Sequence, residues 1–198
     1  LQIEQAFAAY NAGDYSQALR LFKPLAQQGN AEAQNSLGVM YAKGQGVAQD
    51  YQQALVWYKR AANQGFADAQ NALGVMYANG QGMAQNYQQA LTWYKKAANQ
   101  GYAPAQYNLG VIYANGQGVA QNYQQALMWY QKAANQGFAP AQHDLGVMYY
   151  EGHGIATNYQ QAKALWQKVL AQPDTEDNVK VKAYARDNLQ ELKKAGIR

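Results

Sequence analysis

Residues 31–65 read AEAQNSLGVMYAKGQGVAQDYQQALVWYKRAANQG, and residues 67–101 read ADAQNALGVMYANGQGMAQNYQQALTWYKKAANQG. The second stretch is the first displaced by 36 positions. Extending the register in both directions gives four units that begin at Asn30, Phe66, Tyr102 and Phe138. The first and second units agree at 28 of 36 positions, as do the second and third, while the fourth agrees with the third at only 19. A terminal repeat diverges in this way when its outer face meets water instead of a neighbour.

Within a unit the apolar residues recur at helical spacing. Ala33, Leu37 and Tyr41, with their equivalents Ala69, Leu73, Tyr77 and Ala105, Leu109, Tyr113, form one stripe. Gly44-Gln45-Gly46 follows, and its copies at Gly80/Gly82, Gly116/Gly118 and Gly152/Gly154 suit a left-handed helix stop and a loop. Asp50, Asn86, Asn122 and Asn158 then supply a short polar cap for a second helix, whose stripe is Tyr51, Ala54, Leu55, Tyr58, Ala61 and Ala62. Gly65, Gly101 and Gly137 close that helix, and Pro104 and Pro140 fall in the first turn of the next, where a missing N–H is harmless. The unit is therefore a helical hairpin. Gly38, Gly74, Gly110 and Gly146 sit inside the first helix, where glycine costs roughly 1 kcal/mol against alanine. A close approach by Trp57, Trp93 and Trp129 is the expected reason.

Residues 1–29 read as a capping hairpin turned at Gly13-Asp14, in which Tyr15, Ala18, Leu19 and Phe22 repeat the second-helix pattern. Residues 30–173 hold the four units 30–65, 66–101, 102–137 and 138–173. A last helix spans much of 174–198, capped by Asp174 or Thr175 and carrying Val181, Ala185, Leu189 and Leu192 inward. Lys180, Lys182, Arg186, Asp187, Glu191 and Lys193 are expected on its solvated face. The whole reads as one all-α solenoid domain.

Composition narrows the function. Charged residues are only 14% of the chain, and 30 Gln and 15 Asn take their place. Net charge is +4, yet the sixteen basic residues are scattered and residues 69–143 carry only Lys95, Lys96 and Lys132, so no nucleic-acid stripe is visible. Cysteine is absent, which removes disulfides, thiolate metal sites and cysteine nucleophiles. No apolar run is long enough to insert in a membrane. The chain opens with Leu1 and not with Met, which reads as a processed or trimmed product.

The Ala-Gln, Leu-Gly, Tyr, Gly-x-Gly and Trp-Tyr followed by paired alanines recur together on the 36-residue period, and in that set the chain resembles the Sel-one-like repeat (SLR) family, relatives of the tetratricopeptide repeat. The resemblance covers residues 30–172 and half of 14–29. Lys163, Leu165 and Val169 depart from it in the fourth unit. It implies a right-handed superhelix of antiparallel helix pairs and a non-catalytic adaptor, scaffold or receptor for other proteins. The helix leading into Ala9–Tyr15 resembles the start of bacterial relatives, implying a periplasmic or secreted protein, with a cytoplasmic one as the alternative.

A binding face follows from helix geometry. If Ala33, Leu37 and Tyr41 face the second helix, Asn35, Val39, Ala42 and Lys43 project away from it, on the side that lines the concave groove of a helical solenoid. Through the units the rows run Asn35, Asn71, Tyr107, His143; then Val39, Val75, Val111, Val147; then Ala42, Ala78, Ala114, Tyr150; edged by Lys43, Asn79, Asn115 and Glu151. The expected partner-binding residues are Asn35, Lys43, Asn71, Asn79, Tyr107, Asn115, His143 and Tyr150. Asn amides pair with an extended backbone, and aromatic rings offer large contact area.

Other chemistries fit poorly. His143, Asp144, Glu151 and His153 are metal-ligand types, but adjacent His143 and Asp144 diverge by about 100° on a helix and His153 falls in a loop, so no metal or other cofactor is expected. Neither Ser16 nor Ser36 is followed three residues on by Lys, which removes the Ser-x-x-Lys nucleophile of penicillin-interacting enzymes. The Gln52-Gln53, Gln88-Gln89, Gln124-Gln125 and Gln160-Gln161 pairs read either as a solvated face or as a multivalent surface for a glycan or cell wall. The expectation is thus a non-enzymatic, monomeric protein-interaction module. Its alternatives are a secreted penicillin-interacting protein and a carbohydrate-binding surface.

Overall fold

A computed structural model describes all residues, 1–198, and contains eleven α-helices and no strand. They fall into two compact units, Leu1–Gln100 and Gly101–Arg198. The first holds α1 (Gln2–Asn11), α2 (Tyr15–Gln27), α3 (Ala31–Lys43), α4 (Tyr51–Asn63), α5 (Ala67–Asn79) and α6 (Tyr87–Asn99). The second holds α7 (Ala103–Asn115), α8 (Tyr123–Asn135), α9 (Ala139–Glu151), α10 (Tyr159–Leu170) and α11 (Glu176–Lys194). Within each unit every helix packs on the next, and α11 also reaches back to α9.

Local chemistry sets the helix ends. Asp50 Oδ1 accepts from the backbone N–H groups of Gln52 and Gln53, and Asn86, Asn122 and Asn158 each cap the third residue of their helices. Gly44, Gly80, Gly116 and Gly152 end the first helices at φ of 66–71°, a left-handed conformation open to glycine. Thr175, not Asp174, caps α11. Asp174 instead binds Lys182, which is 6% exposed and also donates to the Gln172 carbonyl. Lys182 therefore does not belong to the solvated face of α11. Its ammonium hydrogen bond, then its charge, holds the Asp174 carboxyl below the usual range.

The glycines inside the first helices do mark a close approach, but the expected partner is corrected. A Cβ on Gly38 would stand 2.6 Å from the ring of Tyr58, and one on Gly74 would stand 2.5 Å from the ring of Tyr94; Gly110 meets Tyr130 likewise. Only at Gly146 is the ring a tryptophan, Trp166, which also donates from its indole N–H to the His143 carbonyl. Trp57, Trp93 and Trp129 lie one position earlier, turned about 100° round the helix. Trp57 and Trp93 remain half-buried, and the three rings carry Arg60, Lys96 and Lys132 at 4.6–4.9 Å from their centroids.

The abundant glutamine has a structural use that hydropathy cannot show. Gln34, Gln70, Gln106 and Gln142 are buried at 4–5% exposure beside the core. Gln70 Nε2 donates to the Ala62 carbonyl, while its Oε1 accepts from Gln100, whose amide also donates to the Gly65 carbonyl. The same net repeats at Gln34 with Gln64, Ala26 and Gly29, and at Gln142 with Gln172, Ala134 and Gly137. Carbonyls near the second-helix ends, which already accept a turn N–H of their own chain, thereby take a second hydrogen bond from the following hairpin.

Two outcomes are expected in urea unfolding. Gly74→Ala lowers stability by about 1–3 kcal/mol in spite of alanine's better helix propensity, because the methyl group must displace the Tyr94 ring; a rise in the midpoint would contradict this packing. Gln70→Leu costs about 0.5–1.5 kcal/mol, since the Ala62 carbonyl and the Gln100 amide each lose one hydrogen bond beside the core while keeping their bonds to Gly65, and an unchanged midpoint would show that the net carries no stability.

Candidate functional site

First helices of each unit enclose shallow clefts, and the residues read from sequence as a binding face distribute among them. In the first unit a small cavity of about 180 Å³ is lined by Asn35, Ser36 and Val39 of α3 with Phe7 and Tyr10 of α1. The Asn35 Oδ1 atom is buried there without a hydrogen-bond partner. Between α3 and α5 a larger cleft of about 330 Å³ gathers Ala42, Lys43, Ala72, Val75 and Met76 over Tyr51 and Tyr58, with Gln81 at one end. Asn79 is exposed, and Asn71 is half-buried.

The second unit repeats the larger cleft between α7 and α9. Ala114 and Asn115 face Asp144, Val147, Met148 and Glu151, with Tyr123 and Tyr130 beneath and His153 at the end, again enclosing about 330 Å³. Asn115 therefore stands with two carboxylates. Tyr107 does not lie open in the cleft: it packs against Tyr130 and Phe138, with centroids 5.7 and 5.6 Å away, and donates its hydroxyl to Asp144 Oδ2 at 2.9 Å. His143 is also covered. Asn188 Nδ2 stands 3.0 Å from its Nε2, and the Tyr184 ring of α11 lies 5.9 Å away. Tyr150 is 41% exposed and leans on Tyr159 and Trp166.

One sequence expectation about this region is overturned. His143 and Asp144 do meet: Nδ1 stands 2.8 Å from Asp144 Oδ1. Their Cβ atoms diverge round α9, but the two side chains bend together, a reach that a helical wheel does not contain. His153 pairs separately with Glu151 at 3.2 Å and stacks on Tyr123 with centroids 4.6 Å apart. Sequence reasoning assigned Tyr123 and Tyr130 to the core stripe and passed over Asp144 as a cleft residue. The available signal was the repeat itself, because Asp144 replaces Ala72 and Asn108.

The leading Gln of each pair is also engaged. Gln52, Gln124 and Gln160 donate to the carbonyls of Gly82, Gly154 and Arg198 at 2.6–2.8 Å, tying each second helix to a later loop. No helix is long and apolar enough to cross a membrane.

The family model described as Sel1 repeat matches residues 8–30, 31–66, 67–102, 103–138 and 139–172. No curated protein matches the chain. Among solved structures, the chain is 36% identical to a Sel1 repeat protein from Oxalobacter formigenes, with a TM-score of 0.77 over 84% of this chain and 66% of that one. It is 35% identical to a protective antigen of uropathogenic Escherichia coli that displays an SLR fold, with a TM-score of 0.76 over 84% of this chain and 37% of that one. A Klebsiella pneumoniae Sel1 repeat protein is 26% identical over 91% of both chains, with a TM-score of 0.61. This chain thus spans under two thirds of the length of the first two.

Burial and, next, the charge of Asp144 push the Tyr107 and Tyr130 hydroxyls above the usual phenol range, while burial and a neighbouring tyrosine do so for Tyr58 and Tyr94. The folded state thus keeps protons that unfolded tyrosines release near about pH 10. Their contribution is complete below that pH and is lost progressively as pH rises beyond it toward the raised values of the folded state. Thermal melts at pH 9, 10 and 11 are expected to show a falling midpoint, with further tyrosinate absorbance gained on unfolding; ionisation of all tyrosines before unfolding would contradict the burial.

Proposed function

We propose that this chain, which belongs to the Sel1 repeat family, works as a non-catalytic adaptor or receptor that binds a protein or peptide along the first-helix clefts of its two units. Sel1 repeats are typically protein–protein interaction modules and generally non-enzymatic scaffolds. The observation that carries the reading is the pair of equivalent clefts, each about 330 Å³, with apolar walls over two tyrosines and polar rims at Lys43 and Asn115. A concave surface with aromatic anchors and a few directed polar groups suits a side chain projecting from a partner.

On this reading Asn35, Lys43, Asn71, Asn79, Asn115 and Tyr150 make or border the contact. Tyr107 and His143 shape the second cleft from behind, through Asp144. Residues 1–29 and 174–198 act as caps to the four 36-residue units between them, and the chain acts as a monomer. A repetitive glycan surface is less well supported, because Gln52, Gln124 and Gln160 are already committed to loop carbonyls. The 35% identity to a protective antigen of uropathogenic Escherichia coli supports placing the protein in a bacterial envelope or outside the cell.

A photo-reactive amino acid placed singly at Asn79, Asn115, Gln53 or Gln89, all exposed, separates the faces. Protein adducts formed from Asn79 and Asn115, and absent from Gln53 and Gln89, are the expected result. Adducts from the Gln positions alone would move the contact to the second helices and overturn the assignment.

A further inference from the structure

We propose that the cleft between α7 and α9 seats a basic side chain of the bound partner, an arginine or lysine projecting from a peptide or loop. The proposal rests on the reading that these clefts bind protein. Tyr123 and Tyr130 occupy the same repeat positions as Tyr51 and Tyr58, and Val147 and Met148 the same as Val75 and Met76. On this shared frame the charge reverses. Lys43 is the charged lining residue of the α3/α5 cleft, opposite Ala72 and Gln81. At the matching positions 72 residues later stand Asn115, Asp144 and His153, joined by Glu151 where α5 has Asn79.

The change is concentrated. Residues 69–143 contain no carboxylate, and α9 then carries two, Asp144 and Glu151, both on the wall of this one cleft. No Lys or Arg lines it, so no internal cation neutralises the pair. Asp144 is held in place: Tyr107 donates to Oδ2 and His143 Nδ1 faces Oδ1. The Asp144 carboxylate can only accept, so His143 Nδ1 carries the hydrogen between them, and Nε2 faces the Asn188 amide. The carboxylate is thereby oriented in advance, and its side chain is still 31% exposed. Glu151 adds a second negative group, 47% exposed. Tyr123, half-buried with the His153 ring stacked on it, gives the cleft an aromatic side against which a side-chain stem can lie. An apolar and aromatic lining with two carboxylates, two helical turns apart, matches a long basic side chain in shape and charge.

The test uses the full chain, isotopically labelled for NMR, and two probes: acetyl-Ala-Ala-Arg-Ala-Ala-amide and its counterpart with neutral, near-isosteric citrulline. The arginine peptide is expected to shift the amide signals of Ala114, Asn115, Asp144 and Glu151, with binding about tenfold or more tighter than that of the citrulline peptide. Glu151→Gln, at an exposed position, should remove much of that preference, and Asp144→Asn more. In the other direction, Lys43→Asn with Ala72→Asp and Asn79→Glu should create a second set of arginine-dependent shifts around Ala42 and Val75. Equal response of the α7/α9 cleft to both peptides, or arginine-dependent shifts elsewhere, overturns this proposal and leaves the broader reading standing. Silence toward the arginine peptide, together with photo-adducts confined to the second helices, overturns both.

Discussion

A tyrosine ring lying on the bare backbone of a helical glycine is the contact from which each hairpin takes its spacing. At Gly38, Gly74 and Gly110 there is no room for a methyl group between α3 and α4, α5 and α6, or α7 and α8. The ring brings the two helices close enough for Ala33, Leu37, Ala54 and Ala61 to be fully buried with small side chains. Helix propensity is sacrificed at the glycine, and packing at native density repays it. Alanine-rich stripes make sense only at this separation; at a wider one they would leave voids.

Stacking one hairpin on the next poses a different problem, because the polar ends of the second helices are carried against the hairpin that follows. Buried glutamines make hydrogen bonds across that joint. Gln34 and Gln70 each donate to a carbonyl of the helix before and accept from a glutamine at the end of the helix that follows. A leucine of similar size would fill the space but lose the bonds across the joint, leaving the Ala26 and Ala62 carbonyls with their turn N–H partners alone. The low charge and high amide content of the chain are therefore consequences of how its hairpins join, and the interior is polar at regular intervals without being ionic.

Much of this was readable in advance, and the rest was hidden for identifiable reasons. Helix positions, caps and left-handed stops follow from the 36-residue period because each is decided by residues within a few positions of one another. The partner of Gly38 depended on which of two adjacent aromatic residues turns inward; Trp57 is larger, but Tyr58 has the right angular position, and size misled. Nothing in the sequence marked Gln34 as buried, because a single amide shows nothing of the Ala26 carbonyl that accepts from it or the Gln64 amide that donates to it. The row Asn35, Asn71, Tyr107, His143 was legible as a helix face. What lies over its last member was not, since Asn188 and Tyr184 belong to α11, which has no copy elsewhere in the chain.

Repetition also makes differences interpretable. Where the backbone, the aromatic floor and the loop are the same in two clefts, a change of side chain at one position changes little besides the chemistry presented there. Lys43 against Asn115, Ala72 against Asp144, Asn79 against Glu151 and Gln81 against His153 are four such positions, and the last three lie on or just beyond α9, where Tyr107 of α7 and His143, itself met by Asn188 of α11, brace Asp144. Bracing a carboxylate in this way has no counterpart in the α3/α5 cleft, whose corresponding residue is alanine. A scaffold built by copying thus acquires individuality through a few side chains, and the electrostatic character of each cleft becomes independent of the packing that holds it.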